Sequence, residues 1–254
     1  AIQIAWARWL VLFCCVAVFI CIRGVKVLET KHTFLQIFRG VTVALSAAFF
    51  TIGLSFVPLA DAVAITFIAP IIVTILSAYL LGERVGKRRW AAVIIGFFGV
   101  IMITQPSFDD FNPGLLFPFL AALFFAIRQI ISRRVSHKDN VQTTVAYTAL
   151  TSFVLLSMCL PFFWVEVPSE LDAITLLSLS AFSAIGEIFI VYALSIGLAV
   201  VVTPIHYTII VWALLYGYFF FEDVPSSSMM FGTIVVMLCG IYIARREHRL
   251  SLKI

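Results

Sequence analysis

The chain reads as nine long apolar runs separated by short polar joints. They fall at about 2–22, 37–57, 59–81, 90–105, 114–133, 141–164, 172–196, 201–221 and 228–244. A helix needs roughly 20 apolar residues to cross the hydrocarbon of a bilayer, and the runs approach that length. In lipid every backbone amide and carbonyl must be bonded within its own segment, so such runs predict α-helices. A membrane barrel would show segments of roughly ten residues with alternating polarity instead. The pattern predicts an all-α polytopic membrane protein with short connections.

Composition agrees. Hydrophobic residues make up 63% and charged residues 12% of the 254, against roughly 25% charged in a soluble chain. Too few polar residues remain to cover a water-facing surface, so the first partner is the lipid bilayer. The five cysteines lie inside apolar runs, without metal-ligand spacing, and read as small buried hydrophobes. No metal or cofactor is expected. A cleaved signal peptide is not expected either, because no basic stretch precedes the first run.

The net charge of +4 matters through its distribution. Alternate joints carry Arg23, Lys26, Lys31 and Arg39; Arg84, Lys87, Arg88 and Arg89; Arg133, Arg134 and Lys138; and Arg245, Arg246, Arg249 and Lys253. The opposite joints carry acidic residues such as Asp109, Asp110, Glu166, Glu170, Asp172, Glu222 and Asp223. Basic joints mark the cytoplasmic side. The C-terminus is thus expected in the cytoplasm, and residue 1 on the far side. The basic groups are topology signals and lipid contacts, which removes nucleic acid as a partner.

Two segments resemble each other: LLGERVGKRRWAAVIIGFFGVIMI at 80–103 and YFFFEDVPSSSMMFGTIVVMLCGIYI at 218–243. Each joins an apolar helix to an acidic turn and then to a helix with a late glycine, Gly99 or Gly240. The charge map puts Glu83 inside and Glu222 outside, so the copies run oppositely. Inverted repeats are a transporter architecture. Such repeats need an odd number of spans. The second copy has five and the first only four, so one helix is expected to precede Ala1 in the natural protein.

These residues carry a specific resemblance. Arg39-Gly40 opening a span, Pro58, Ala60 and Ala62, the mid-span Pro70 and the Leu-Gly-Glu-Arg turn at 81–84 resemble the first EamA-type domain of the drug/metabolite transporter superfamily. Pro204, Tyr207, Trp212, Gly217, Glu222 and Pro225 resemble the second, although Phe221 stands where a glycine often precedes the acidic turn. The resemblance implies a 5+5 inverted-repeat bundle, with a first repeat at 1–105 and a second at 114–245. It also implies a metabolite transporter, without naming the substrate.

Charges inside spans are costly and default to function. Arg8 lies in the outer part of the first run and could attract a carboxylate or hold a structural partner such as Asp61. Arg128 and Glu187 sit 14 and 15 residues from the outer ends of parallel spans (Gly114 and Asp172). They are thus at similar depth, where an ion pair, a gate or a coupling-proton site is geometrically open. Alternatively, Arg128 snorkels to the cytoplasmic interface. Ser180, Ser183 and Glu187 share a helix face, as do Phe117, Ala121, Phe124 and Arg128. Thr208, Trp212 and Tyr216 form a stripe that could stack a planar group or simply pack. His206 lies near a cytoplasmic end. Pro70 removes an amide donor one turn after Thr66, so Thr66, Pro70 and Ser77 are a candidate cavity wall or a packing kink.

No hydrolase or zinc-protease motif and no ATP-binding loop occurs in the sequence, so the chain is not expected to be an enzyme. The reading is a secondary transporter in a bacterial cytoplasmic membrane. It would work by alternating access, with export the expected direction and an amino acid or related carboxylate the expected substrate. A coupling proton is a further expected partner. The substrate contacts expected are Arg8, Thr66, Pro70, Phe124, Arg128, Ser183, Glu187, Thr208, Trp212 and Tyr216. The alternatives are import or exchange of another organic anion or a nucleoside-type metabolite, and, outside transport, a membrane receptor or channel.

Overall fold

The computed structural model describes residues 1–80, 87–104, 112–135, 139–165, 169–196, 208–222, 224 and 226–251. Among them no strand occurs. The helices are α1 (Ile2–Arg23), α2 (Thr33–Gly53), α3 (Leu59–Thr66), α4 (Ala69–Leu80), α5 (Lys87–Thr104), α6 (Leu116–Val135), α7 (Val141–Cys159), α8 (Glu170–Ile196), α9 (Thr208–Phe221) and α10 (Ser227–Ser251). Each apolar run of the sequence thus carries a helix. The segments around α1, α2, α6, α7 and α8 are each long and apolar enough to cross a membrane. The Leu-Gly-Glu-Arg turn at 81–84, Asp109, Asp110, Pro204 and His206 lie outside the described residues.

Three boundaries differ from the hydropathy reading. Helix α2 starts at Thr33, four residues before the apolar run, and α10 continues through Arg245 and Arg246 to Ser251. Hydropathy locates the lipid-matched part of a helix, whereas backbone bonding continues into the polar interface. The third run is divided into α3 and α4. Phe67 N–H bonds Ala64 O at 3.2 Å and Ile68 N–H bonds Ile65 O at 3.0 Å, a tight i→i−3 turn that ends α3. Pro70 then falls in the first turn of α4, where its missing donor costs little. The face proposed to join Thr66 to Ser77 assumed unbroken helical periodicity, and the turn at Phe67-Ile68 interrupts it.

The helices form two compact units, and each mixes the two sequence halves. Unit 1 comprises residues 1–51 and 127–196; unit 2 comprises 52–126 and 197–254. In unit 1, α1 packs on α7 and α8. Its buried stripe Ala5, Trp9, Leu12 and Val16 has helical spacing and meets Val43, Ala44, Ala146, Ala149, Leu156 and Ala184. Polar bridges stitch the same surfaces. Trp6 Nε1 donates to Ser157 Oγ at 2.8 Å, Val11 N–H to Ser180 Oγ at 2.9 Å, and Ser152 Oγ to Gly40 O at 3.1 Å. A Cβ on Gly40 would come within 2.6 Å of the Thr151 Cβ, so only glycine lets α2 and α7 approach this closely.

Unit 2 is packed differently. Here α5 lies against α10, and α3 packs on α5, α9 and α10. A Cβ on Gly99 would meet Val236 Cγ2 at 2.9 Å and the Gly232 carbonyl at 3.0 Å. One on Gly96 would run into Ile71 Cδ1. The α6 entrance is set by Asn112, whose side chain accepts from Gly114 N–H at 2.8 Å and donates to Phe56 O at 3.3 Å. Phe56 then stacks on Phe117 with ring centroids 5.3 Å apart.

A candidate functional site built on buried charge

Arg128 and Glu187 meet within unit 1. Arg128 Nη2 lies 3.1 Å from Glu187 Oε1, with the two side chains 15% and 8% exposed. The equal depth of the two residues in parallel spans is realised as a direct ion pair. Arg128 therefore does not snorkel away to the interface. Ser180, on the Glu187 face of α8, is buried and held by the Val11 amide.

Arg8 keeps exposed surface, and both Glu187 and Arg128 act on it electrostatically. Arg39 is the residue the sequence reading missed. It is grouped with the joint charges, although Arg39-Gly40 is also read as opening a span. Since α2 begins at Thr33, Arg39 lies about 9 Å inside the helix at ~1.5 Å per residue. It is 4% exposed. Its Nε donates to Ser132 Oγ at 2.8 Å, and its Nη1 donates to Thr148 Oγ1 and to Thr144 O at 3.4 Å. Arg128 and Glu187 act on Arg39 as well. Only the partners on α6 and α7 reveal its role, because a buried guanidinium requires acceptors and these lie on distant helices.

A polar ladder continues from this cluster. Gln36, one turn before Arg39, donates through Nε2 to Thr144 Oγ1 at 3.1 Å and to Asp139 Oδ2 at 2.8 Å. Thr30 Oγ1 donates to the same Asp139 oxygen at 2.6 Å. The ladder ends at an open pocket lined by Glu29, Thr30, Lys31, His32 and Asp139. The cluster itself holds three guanidiniums and one carboxylate. Two positive charges are in excess, which is the electrostatic condition for receiving an anion.

The other expected site residues are placed as follows. Ser183 and Phe124 are half-buried, on α8 and α6. Thr66 is half-buried in unit 2 and gives its hydroxyl proton to Val63 O at 2.6 Å. The side chains of Pro70 and Thr208 lie outside the described residues. Trp212 and Tyr216 on α9 are 55% and 48% exposed, their rings stacked with centroids 6.2 Å apart, and Tyr216 continues to Phe220 at 5.7 Å. The structure therefore pairs Arg128 with Glu187 in unit 1 and places Arg8 and Arg39 within electrostatic reach of them. Thr66 and the aromatic stripe belong to unit 2, where α3 packs on α9.

Comparison with known proteins defines the class. The EamA-like transporter family matches residues 1–105 and 112–246, and the chain belongs to this family. It is 27% identical over 232 residues to an S-adenosylmethionine uptake transporter of Rickettsia prowazekii, covering 91% of this chain and 78% of that one. A riboflavin transporter of Vibrio cholerae is 30% identical over 77% of this chain and 65% of its own length. A pseudopaline exporter of Pseudomonas aeruginosa is 26% identical over 82% and 74%. A solved crystal structure shares the fold with a TM-score of 0.61 at 18% identity, over 98% of this chain and 88% of that one. The protein is an integral membrane transporter of a small metabolite.

Proposed function

We propose that the chain moves a small metabolite bearing a carboxylate, an amino acid or close relative, by alternating access. The observation that carries this reading is the excess of guanidinium over carboxylate at Arg8, Arg39, Arg128 and Glu187. Arg8 takes the substrate carboxylate. Arg128 is shared between that carboxylate and Glu187, so substrate entry loosens the ion pair. Glu187, once loosened, receives the substrate ammonium or a coupling proton. S-adenosylmethionine, named for one relative, carries this α-amino-carboxylate head.

The inverted-repeat reading is supported by helix pairing. Matching the halves pairs α1 with α7, the α3–α4 segment with α9, and α5 with α10. The contacts of α1 on α7, α3 on α9 and α5 on α10 all join such partners. The expected location is a bacterial cytoplasmic membrane with the C-terminus inside. A carrier of this kind is reversible, so gradients set its net direction, and export is the direction proposed. A second reading rests on the stacked Trp212 and Tyr216, which offer ring faces to a planar group such as a flavin or nucleobase.

The test is flux in proteoliposomes loaded with labelled methionine, S-adenosylmethionine or riboflavin. Arg128→Ala and Glu187→Gln each lower carboxylate flux by about tenfold or more, the equivalent of ~1.4 kcal/mol of lost binding. Wild-type rates in both variants would remove these residues from the mechanism. A wild-type chain that carries riboflavin and neither amino acid would favour the aromatic stripe.

A further inference from the structure

We propose that Arg39 is the positioning residue of the Arg128–Glu187 pair, acting through Ser132 without touching substrate. Three observations converge. First, Arg39 is buried and its guanidinium spans two helices, donating to Ser132 on α6 and to Thr144 and Thr148 on α7. Second, Ser132 Oγ donates at 2.8 Å to the carbonyl oxygen of Arg128, one turn earlier on α6. A serine bonded back to its i−4 carbonyl alters the local path of a helix, and here that carbonyl belongs to the pairing residue. Third, the Ser132 proton is committed to Arg128 O, so its lone pairs face a donor, and Arg39 Nε supplies one.

Thr148 repeats the arrangement on α7. Its hydroxyl donates to Thr144 O at 2.7 Å and accepts from Arg39. This gives an internal control: Ser132 and Thr148 each take one bond from the same guanidinium, but only Ser132 connects onward to Arg128. A planar fork is needed to reach both helices at once, and a lysine ammonium has no such geometry.

The experiment is a double-mutant cycle on the purified full chain in detergent, read as the thermal midpoint. Ser132→Ala and Glu187→Gln each lower Tm. Their double variant falls no further than the worse single, because both act on one pair. Thr148→Val lowers Tm by a similar amount, but its loss adds to that of Glu187→Gln. Ser132→Thr, which keeps the hydroxyl, restores the wild-type midpoint and the coupling. Additive losses for Ser132→Ala with Glu187→Gln, or equal coupling for Thr148→Val, overturn the proposal.

The functional weight of Arg39 rests on the substrate reading above and has its own readout. With S-adenosylmethionine as the probe, Ser132→Ala raises KM several-fold and Thr148→Val leaves it unchanged. An unchanged KM in Ser132→Ala beside lost flux in Arg128→Ala overturns the role of Arg39. Wild-type flux in Arg128→Ala overturns the substrate reading instead, and the thermal cycle still judges Arg39.

Discussion

The two units meet the same physical problem with different emphasis. Lipid tails are as apolar as leucine, so helices in a bilayer associate through close packing and interhelical hydrogen bonds. Unit 1 leans on hydrogen bonds: Trp6 to Ser157, Val11 to Ser180, Ser152 to Gly40 and the Arg39 fork each join different helices. In unit 2 close approach is prominent, with Gly96 and Gly99 admitting Ile71, Val236 and the Gly232 backbone. The difference has a functional consequence. In unit 1 the Arg128–Glu187 pair both joins two helices and is the group proposed to meet the substrate, so stability and transport are expected to share those residues. In unit 2 the packing glycines and the exposed aromatic stripe are separate residues, so the two properties can be changed independently.

The largest expected effect tests the sharing in unit 1. Arg128→Ala leaves Glu187 buried without its cation, and breaking such a pair costs about 3–5 kcal/mol. It should lower both Tm and carboxylate flux. Arg8→Ala separates the two: flux should fall with Tm nearly unchanged. A large Tm loss in Arg8→Ala would show that Arg8 is structural and break the comparison.

The next effect belongs to unit 2. Gly99→Leu forces a Cβ against the Gly232 carbonyl oxygen, a backbone atom that cannot rotate aside. Overpacking of this kind costs about 1–3 kcal/mol. The midpoint should drop while KM in the remaining folded protein stays at the wild-type value. Trp212→Ala is smaller in stability, within about 0.5 kcal/mol for an exposed residue. Its effect should appear in flux, with riboflavin reduced more than methionine. Equal flux of both substrates would assign the stripe to the lipid interface. The smallest effect lies at Glu222, which follows α9 in a left-handed conformation with φ 56°. That conformation strains a residue with a Cβ, and glycine commonly fills such a position after a helix. Glu222→Gly should therefore raise stability by roughly 0.5 kcal/mol, measured as a shift in Tm.

Much of this was legible along the chain. Run lengths placed the helices. The equal depth of Arg128 and Glu187 anticipated their pair, because distance along a straight helix is a one-dimensional quantity. Pro70 marked the neighbourhood of the α3–α4 break, though not the turn at Phe67-Ile68 itself. Arg39 was misread because hydropathy averages over a span and assigned a charge two residues inside its edge to the joint. Only the true start of α2 at Thr33 places it in the interior.

The sequence by itself determined the solvent, the all-helical class and the family. These follow from composition, from periods of a few residues and from short motifs, all local properties. Tertiary structure alone decided which buried charges meet, that Arg39 reaches two other helices, and that the units cut across the sequence halves. Those outcomes depend on which faces of distant helices touch within about 3 Å, the range of a hydrogen bond. No pattern within one span encodes that distance.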